Sequence, residues 1–150
     1  MSTAEFSYMG FTTYKMDPKY RVSIPTSWRP VAGEPLCLLF SEVHGMKVIK
    51  VLSQAAYQHR KDTVRESNIS PKEKSEILGV LAMNCKAASV NDQGKLLIPR
   101  DMSEAIGVTA ESEVVLAGRD LHFEVWSKPN HARVLVIERP TAETDIFGIF

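Results

Sequence analysis

The stretch Met16-Asp17-Pro18-Lys19-Tyr20-Arg21-Val22-Ser23-Ile24-Pro25 decides how this chain is read, because it recurs. Shifted by 74 positions, it meets Val90-Asn91-Asp92-Gln93-Gly94-Lys95-Leu96-Leu97-Ile98-Pro99 without a gap. Ile24/Ile98 and Pro25/Pro99 are identical, and Asp17/Asn91, Arg21/Lys95 and Val22/Leu96 are chemically close. The same shift pairs Gly33 with Gly107, Val51 with Val125 and Ser53 with Ser127. The order carries more weight than the number of identities. A polar turn is followed by a cation, an apolar triplet, Pro, a Gly and then a β-rich stretch. A period of this kind marks two copies of one supersecondary unit.

Outward from the two copies, the local chemistry is consistent. Asp17-Pro18-Lys19 and Asn91-Asp92-Gln93-Gly94 are turn formers. Extended stretches precede them, Phe11 to Met16 and Ala87 to Val90, and β-prone runs follow, Arg21 to Ile24 and Lys95 to Ile98. Each copy therefore reads as a hairpin, ended by a proline that cannot donate to a ladder. A further strand pair is expected in each half. The first is Leu36 to Phe40 and Val48 to Leu52 around His44-Gly45; the second is Glu113 to Leu116 and Leu121 to Trp126 around Gly118-Arg119-Asp120.

Between the halves the period becomes helical. Ser53 caps a polar helix over about 54–66. Ser70, Pro71 and Glu73 then supply a cap, a first-turn proline and a capping box for a second helix. Ile77, Leu78, Val80 and Leu81 give that helix an apolar stripe, and Asn84 ends it. The predicted architecture is mainly β with helices: two similar β units, joined by two helices, facing each other in one closed pseudo-twofold barrel with few free edges.

Composition bounds the function classes. The chain has 150 residues, 44% of them apolar, enough for a sizeable core in one domain or two small units. No apolar run approaches the roughly 18 residues of a membrane span. Met1-Ser2-Thr3-Ala4-Glu5 does not read as a secretory signal, so a cytosolic location is expected. Net charge is zero, which argues against a uniformly basic nucleic-acid binder. Yet residues 1–100 carry 14 basic and 9 acidic side chains, and residues 101–150 carry 4 and 9, so a basic face opposite an acidic one is possible. Ordinary scatter of surface charge is the alternative.

These residues resemble the MraZ family of bacterial regulators, built from two tandem motifs of the SpoVT/AbrB type. Each half of a family member carries Asp-x-x-Gly-Arg, an apolar triplet and Pro; here Asp17 to Pro25 and Asn91 to Pro99 match it. Phe123-Glu124-Val125-Trp126-Ser127-Lys128 resembles the family's close of the second half. The resemblance implies a double-split β-barrel of AbrB/MraZ type. It divides the chain into a first motif at 8–53, connecting helices at 54–84, a second motif at 85–128 and a C-terminal extension at 129–150. It also implies a non-enzymatic, sequence-specific DNA-binding transcriptional regulator acting on its own operon in the division and cell-wall gene cluster. Such a protein would be cytoplasmic and nucleoid-associated, and would bind direct repeats in promoter DNA as a ring-like homo-oligomer. Carried over to this sequence, the DNA-binding candidates are Lys15, Asp17, Lys19 and Arg21 from the first motif, and Asn91, Gln93 and Lys95 from the second.

The chain also departs from that pattern. Tyr20 stands where the first motif has Gly, Asn91 replaces Asp and Lys95 replaces Arg. Lysine keeps the charge but lacks the planar fork, so the second motif suits phosphate more than base edges. Pro30 interrupts the short helix after the first motif, and His131 to Phe150, with β-branched Val134, Val136 and Ile137 and then Pro140, does not look like the family's helical end. An antitoxin-like or partner-binding module of the same fold, with decayed DNA recognition, is the alternative that these departures favour.

Physics makes the candidate residues sensible. A cation at a rigid hairpin tip loses little freedom on contact. Arg21 suits a bidentate contact to guanine or a phosphate. Asp17 is placed to accept turn amides or to orient Arg21, and a turn-stabilising Asp17–Arg21 pair is the plain structural reading. Other chemistry is not supported. Cys37 and Cys85 share no motif, and His44, His59, His122 and His131 lack metal-ligand spacing. His122 and Glu124 read as a solvent-facing pair on one strand. No nucleophile or Gly-rich phosphate motif occurs, so no catalytic residue, metal, cofactor or small-molecule substrate is expected. Ser41-Glu42 and Ser103-Glu104 read as turn and cap residues. Trp28 and Trp126 read as core or inter-protomer packing rather than base-stacking platforms. The apolar tip Ile146 to Phe150 is either a protomer contact or a frayed tail.

Overall fold

The computed structural model describes residues 7–31 and 33–150; the N-terminal Met1 to Glu5 lies outside them. The first half contains β1 (Phe11–Lys15), β2 (Arg21–Ser23), a 3-10 turn (Thr26–Trp28), β3 (Leu36–Val43) and β4 (Met46–Leu52). Helices α1 (Gln54–Arg65) and α2 (Pro71–Met83) follow. The second half contains β5 (Cys85–Ala88), β6 (Lys95–Leu97), α3 (Arg100–Ala105), β7 (Glu113–Gly118) and β8 (Phe123–Ser127), and α4 (Lys128–Thr144) comes last. The fold is thus mainly β with four helices. The helix caps fall where the sequence places them: Ser53 accepts from the Ala56 amide, and Ser70 from that of Glu73.

Six strands form one antiparallel sheet in the order β1-β7-β8-β4-β3-β5, and β2 and β6 form a separate two-stranded ribbon. These pairings leave β1 and β5 as edges of an open sheet. The expected local hairpins close only at their turns, with a single bridge between Val90 and Leu96 in the second, and do not extend into ladders. β1 pairs with β7 and β5 with β3, while β2 pairs with β6, its counterpart in the other half. A three-residue strand gains little from a private hairpin. Pairing β2 with its copy buries Val22 and Leu96 together under the large sheet.

The registers reveal the symmetry of the repeat. In β2·β6, Val22 lies opposite Leu96; in β4·β8, Lys50 lies opposite Glu124. Both central pairs are 74 residues apart, so two cross-half ladders share one local twofold relation.

One face of the sheet packs on the ribbon through Val22, Ile24, Leu96 and Ile98, with Trp28, Tyr8 and Phe123 in mutual ring contact at 5.0–5.7 Å. Each such large side chain contributes about 1.5–3 kcal/mol through burial. Trp126 is also buried, on the opposite face. That face is covered at one end by Ala56 and Tyr57 of α1 and Leu81 of α2, and at the other by Val134 of α4.

Two expectations about helices change. The apolar stripe of α2 is only partly used: Leu81 packs, but Ile77 and Val80 are 46% and 49% exposed. The segment from His131 is helical after all. Ser127 caps α4 by accepting from the Asn130 amide, and Pro129 falls in the first turn, where its missing N–H costs nothing. His131 and Val134, three residues apart, then share one buried helical face. Burial of that face overrides the β preference of its branched residues. No described helix is long and apolar enough to cross a membrane.

Candidate nucleic-acid interface

The two sequence copies fold into the same turn. In the first, the Asp17 carboxylate accepts from the backbone amides of Lys19 and Arg21, both at 2.8 Å. In the second, the Asn91 side-chain oxygen accepts from Gln93 at 3.0 Å and Lys95 at 2.9 Å. The backbone bonds repeat as well: Asp17 N to Arg21 O and Asn91 N to Lys95 O, then Tyr20 N to Asp17 O and Gly94 N to Asn91 O. The turns are joined crosswise, the Ile24 amide donating to Gly94 O and the Ile98 amide to Tyr20 O. Asn91 therefore replaces Asp17 without loss of turn geometry, because a single carbonyl oxygen suffices.

Both turns need a left-handed residue. Gly94 has φ 76° and Tyr20 φ 59°. The departure at Tyr20 thus keeps the backbone conformation, at a cost of about 1 kcal/mol for a residue with a Cβ. Its side chain finds partners: the hydroxyl donates to Glu104 Oε2 at 3.3 Å, and the Arg100 guanidinium lies over the ring at 5.6 Å. At Gly94 the positive φ itself strains any residue with a Cβ, and a Cβ there would also fall 2.2 Å from the Arg29 guanidinium carbon, the flexible end of a side chain that would have to shift.

Strand alternation turns Val22 and Leu96 inward, so Arg21 and Ser23 of β2 and Lys95 and Leu97 of β6 share the ribbon's outer face. Arg21 Nε donates to Asp17 Oδ2 at 2.9 Å, and Lys95 Nζ lies 3.9 Å from the same oxygen. The structure thus gathers Asp17, Arg21 and Lys95, from both halves, into one cluster. Burial works against ionisation of Asp17, but hydrogen bonds from Arg21 and Lys19 and the Arg21 charge hold its pKa below the ordinary value. Among the described residues the Arg21 side chain has no partner beyond Asp17, and none of them accepts from its terminal Nη groups.

The other candidates are placed differently. Lys19 and Gln93 are exposed at the two turn tips, and Gln93 is tied only by its backbone. Lys15 is exposed at the end of edge strand β1, opposite Glu113, and among the described residues shares no hydrogen bond or ion pair with the cluster. The sequence reading missed Arg100, which the repeat offset aligns with Thr26 just beyond the motif's proline, and Leu97, exposed beside Arg21.

His122 and Glu124 are not solvent-facing. Glu124 is 2% exposed, bonded to His122 Nε2 at 3.2 Å and accepting from Trp126 Nε1 at 3.0 Å, with Arg119 Nε at 3.6 Å. It faces the helix-covered side of the sheet, where α4 excludes water. Among the described residues no group of three His, Cys, Asp or Glu side chains is placed to hold a metal ion.

Comparison with known proteins follows the turns. The chain is 25% identical to a transcriptional regulator MraZ of Delftia acidovorans over 145 residues, covering 92% of this chain and 97% of the relative. It is 27% identical to that of Desulfosudis oleivorans over 123 residues, 81% of this chain and 80% of the relative. It is 24% identical to that of Dehalococcoides mccartyi over 121 residues, 81% and 82% of the two chains. These relatives support the MraZ family. No family model matches the chain. The similarity to these MraZ proteins covers about four-fifths or more of each chain.

Proposed function

We propose that this protein is a DNA-binding transcriptional regulator of the MraZ family, not an enzyme, with SpoVT/AbrB-type motifs at 8–53 and 85–128 in a double-split arrangement. The observation that carries the reading is the ribbon face on which Arg21 and Lys95, one from each half, stand together beside Asp17. In this reading Arg21 reads or clamps DNA, oriented by Asp17, while Lys95, Lys15 and Lys19 meet phosphates. Asn91 and Gln93 hold and extend the second tip. A cation fixed on a short ribbon is pre-oriented, so contact costs little side-chain entropy.

The regulator acts in the cytoplasm on promoter DNA containing direct repeats, its own operon in the division and cell-wall cluster first, as a ring-like homo-oligomer. The exposed tip Ile146 to Phe150 is the candidate protomer contact. Gel retardation on the DNA upstream of the protein's own gene tests the reading. Arg21→Ala should weaken specific binding by about 1–3 kcal/mol with the fold intact. Lys95→Ala should weaken specific and random DNA about equally and flatten the salt dependence. Wild-type affinity from the Arg21→Ala protein defeats the assignment. A partner-binding, antitoxin-like role is the second reading, favoured by the Asp17 carboxylate that partly neutralises both cations. It is the outcome if no DNA preference appears and a protein partner co-purifies.

A further inference from the structure

Beyond Arg21 and Lys95, each turn of the ribbon is covered by an arginine from the other half. Arg29, just past Pro25, crosses to the second turn. Its guanidinium occupies the space that a Cβ on Gly94 would take, and its Nε donates to Ile24 O at 2.9 Å. Arg100, just past Pro99, crosses to the first turn, where its guanidinium lies 5.6 Å from the centre of the Tyr20 ring. Tyr20 and Gly94 are the two left-handed turn residues, 74 positions apart.

Arg100 does little for the fold itself. Its side chain is 73% exposed. It opens α3, at the end of a helix where a cation gains nothing. Its ion pair with Glu104, at 3.4 Å, is a surface pair that adds little stability. Among the described residues none accepts from its Nη groups. Tyr20, for its part, strains a turn that Gly94 forms freely. What its side chain gains is a hold on α3: the hydroxyl donates to Glu104 Oε2 at 3.3 Å, the same oxygen that Arg100 Nε reaches. Placed between a ring and a carboxylate, the guanidinium loses little freedom on meeting an anion. It stands three residues past Leu97, which lies opposite Arg21, and so extends the cationic ribbon beyond the first turn.

We propose that Arg100 clamps a DNA phosphate and that Tyr20 is the residue that positions it. The inference rests on the DNA-binding reading of the ribbon, and adds a contact from outside the repeated motif. The guanidinium fork matches two phosphate oxygens, and such a contact carries no sequence preference of its own. The tyrosine that departs from the repeat thus acts through charge placement, not through a base.

The test is fluorescence anisotropy of the full chain with two labelled duplexes over a salt series: the DNA upstream of the protein's own gene, and a mixed-sequence duplex of equal length. Arg100→Gln should weaken binding to both duplexes by about fivefold or more at about 0.15 M salt. It should also lower the slope of log K against log salt by about 1 for each bound protomer. Tyr20→Gly removes no charge and suits the turn's φ, yet it should weaken both duplexes as well. In the Arg100→Gln background Tyr20→Gly should have no further effect, because Tyr20 acts through Arg100. Circular dichroism checks the fold of each variant. Arg100→Gln changes only an exposed side chain, so its arm decides the matter even if Tyr20→Gly fails to fold. Wild-type affinity and slope from Arg100→Gln, a loss confined to the promoter duplex, or an equal effect of Tyr20→Gly with and without Arg100 overturns the proposal. A wild-type chain that holds neither duplex marks failure of the DNA-binding reading itself, and the Arg100 assignment falls with it.

Discussion

Asp17 serves three donors with one carboxylate: two turn amides and the Arg21 guanidinium. Asn91 performs the amide part of that work in the other half with a neutral side chain. Asp17→Asn is therefore expected to keep the turn and remove only its charge. Two outcomes follow. Random DNA should bind more tightly to the variant and with a steeper salt slope, because one repulsive charge has left the face. The ratio of specific to random binding should fall, because Arg21 loses its orienting partner; fluorescence anisotropy with both DNAs reads this. The pH dependence has a definite sign. A carboxyl whose folded pKa is depressed adds stability above its unfolded value of about 3.9, and loses it as pH falls through the folded value. Glu124 and Glu138 are depressed as well. The informative quantity is thus the difference between wild type and Asp17→Asn. Below about pH 4 the two melting temperatures should converge.

At the scale of elements, the segment before β1 is held by close backbone approach. The Tyr8 amide donates to Asp120 O at 2.8 Å, the Asp120 amide returns a bond to Tyr8 O, and a Cβ on Gly118 would fall 2.3 Å from Tyr8 O. Gly118→Ala should displace this segment and loosen Tyr8 from Trp28 and Phe123, costing about 1–3 kcal/mol in denaturant unfolding. Phe123→Ala, at the centre of the same ring cluster, should cost about 3–5 kcal/mol. The legibility of the elements follows their range. Caps at Ser53 and Ser70, the turns at Asp17 and Asn91, and the β3–β4 and β7–β8 pairs are set by residues within a few positions of each other, and the sequence displays them. The partner of β2 is not local. Val22 and Leu96 are apolar whether paired in a hairpin or across the halves, so only the three-dimensional layer selects the crossed pairing. The helix α4 was hidden for a related reason. Its β-branched residues favour a strand, and the burial of His131 and Val134 against β7 and β8 decides otherwise. Within the candidate site, the sequence displayed the turn residues, but not the meeting of Arg21 with Lys95.

At the scale of the molecule, one protomer presents a single short ribbon with two cations, one of them lysine. Even with Lys15 and Lys19 added, four cations release few counterions, so one protomer should hold DNA weakly. On the proposed reading, affinity should then rest on several protomers acting on linked sites, where each further contact is effectively intramolecular. The surface offers apolar area for such assembly. Phe147 is 82% exposed, and Ile146, Ile149 and Phe150 lie beside it. The tip is also shaped rather than random, since Asp145 Oδ1 accepts from the amides of Ile149 at 2.7 Å and Phe150 at 3.2 Å. In the proposed ring, identical protomers joined head to tail would present their ribbons in one orientation, so the matching DNA should carry direct repeats. Repeats on one face of the duplex are about 10–11 base pairs apart. The double variant Phe147→Asp/Phe150→Asp places charge on this exposed tip and touches no core residue, so the monomer should fold normally. Its expected behaviour is a shift from oligomer to monomer in light scattering, together with a loss of at least about 100-fold in operator affinity. Binding to a single half-site should be unchanged. A wild-type protein that scatters as a monomer at micromolar concentration and protects one unrepeated site in footprinting would sink the assembly argument. An oligomer indifferent to the double variant would move the contact elsewhere, with the exposed face of α2 at Ile77 and Val80 the next surface to substitute.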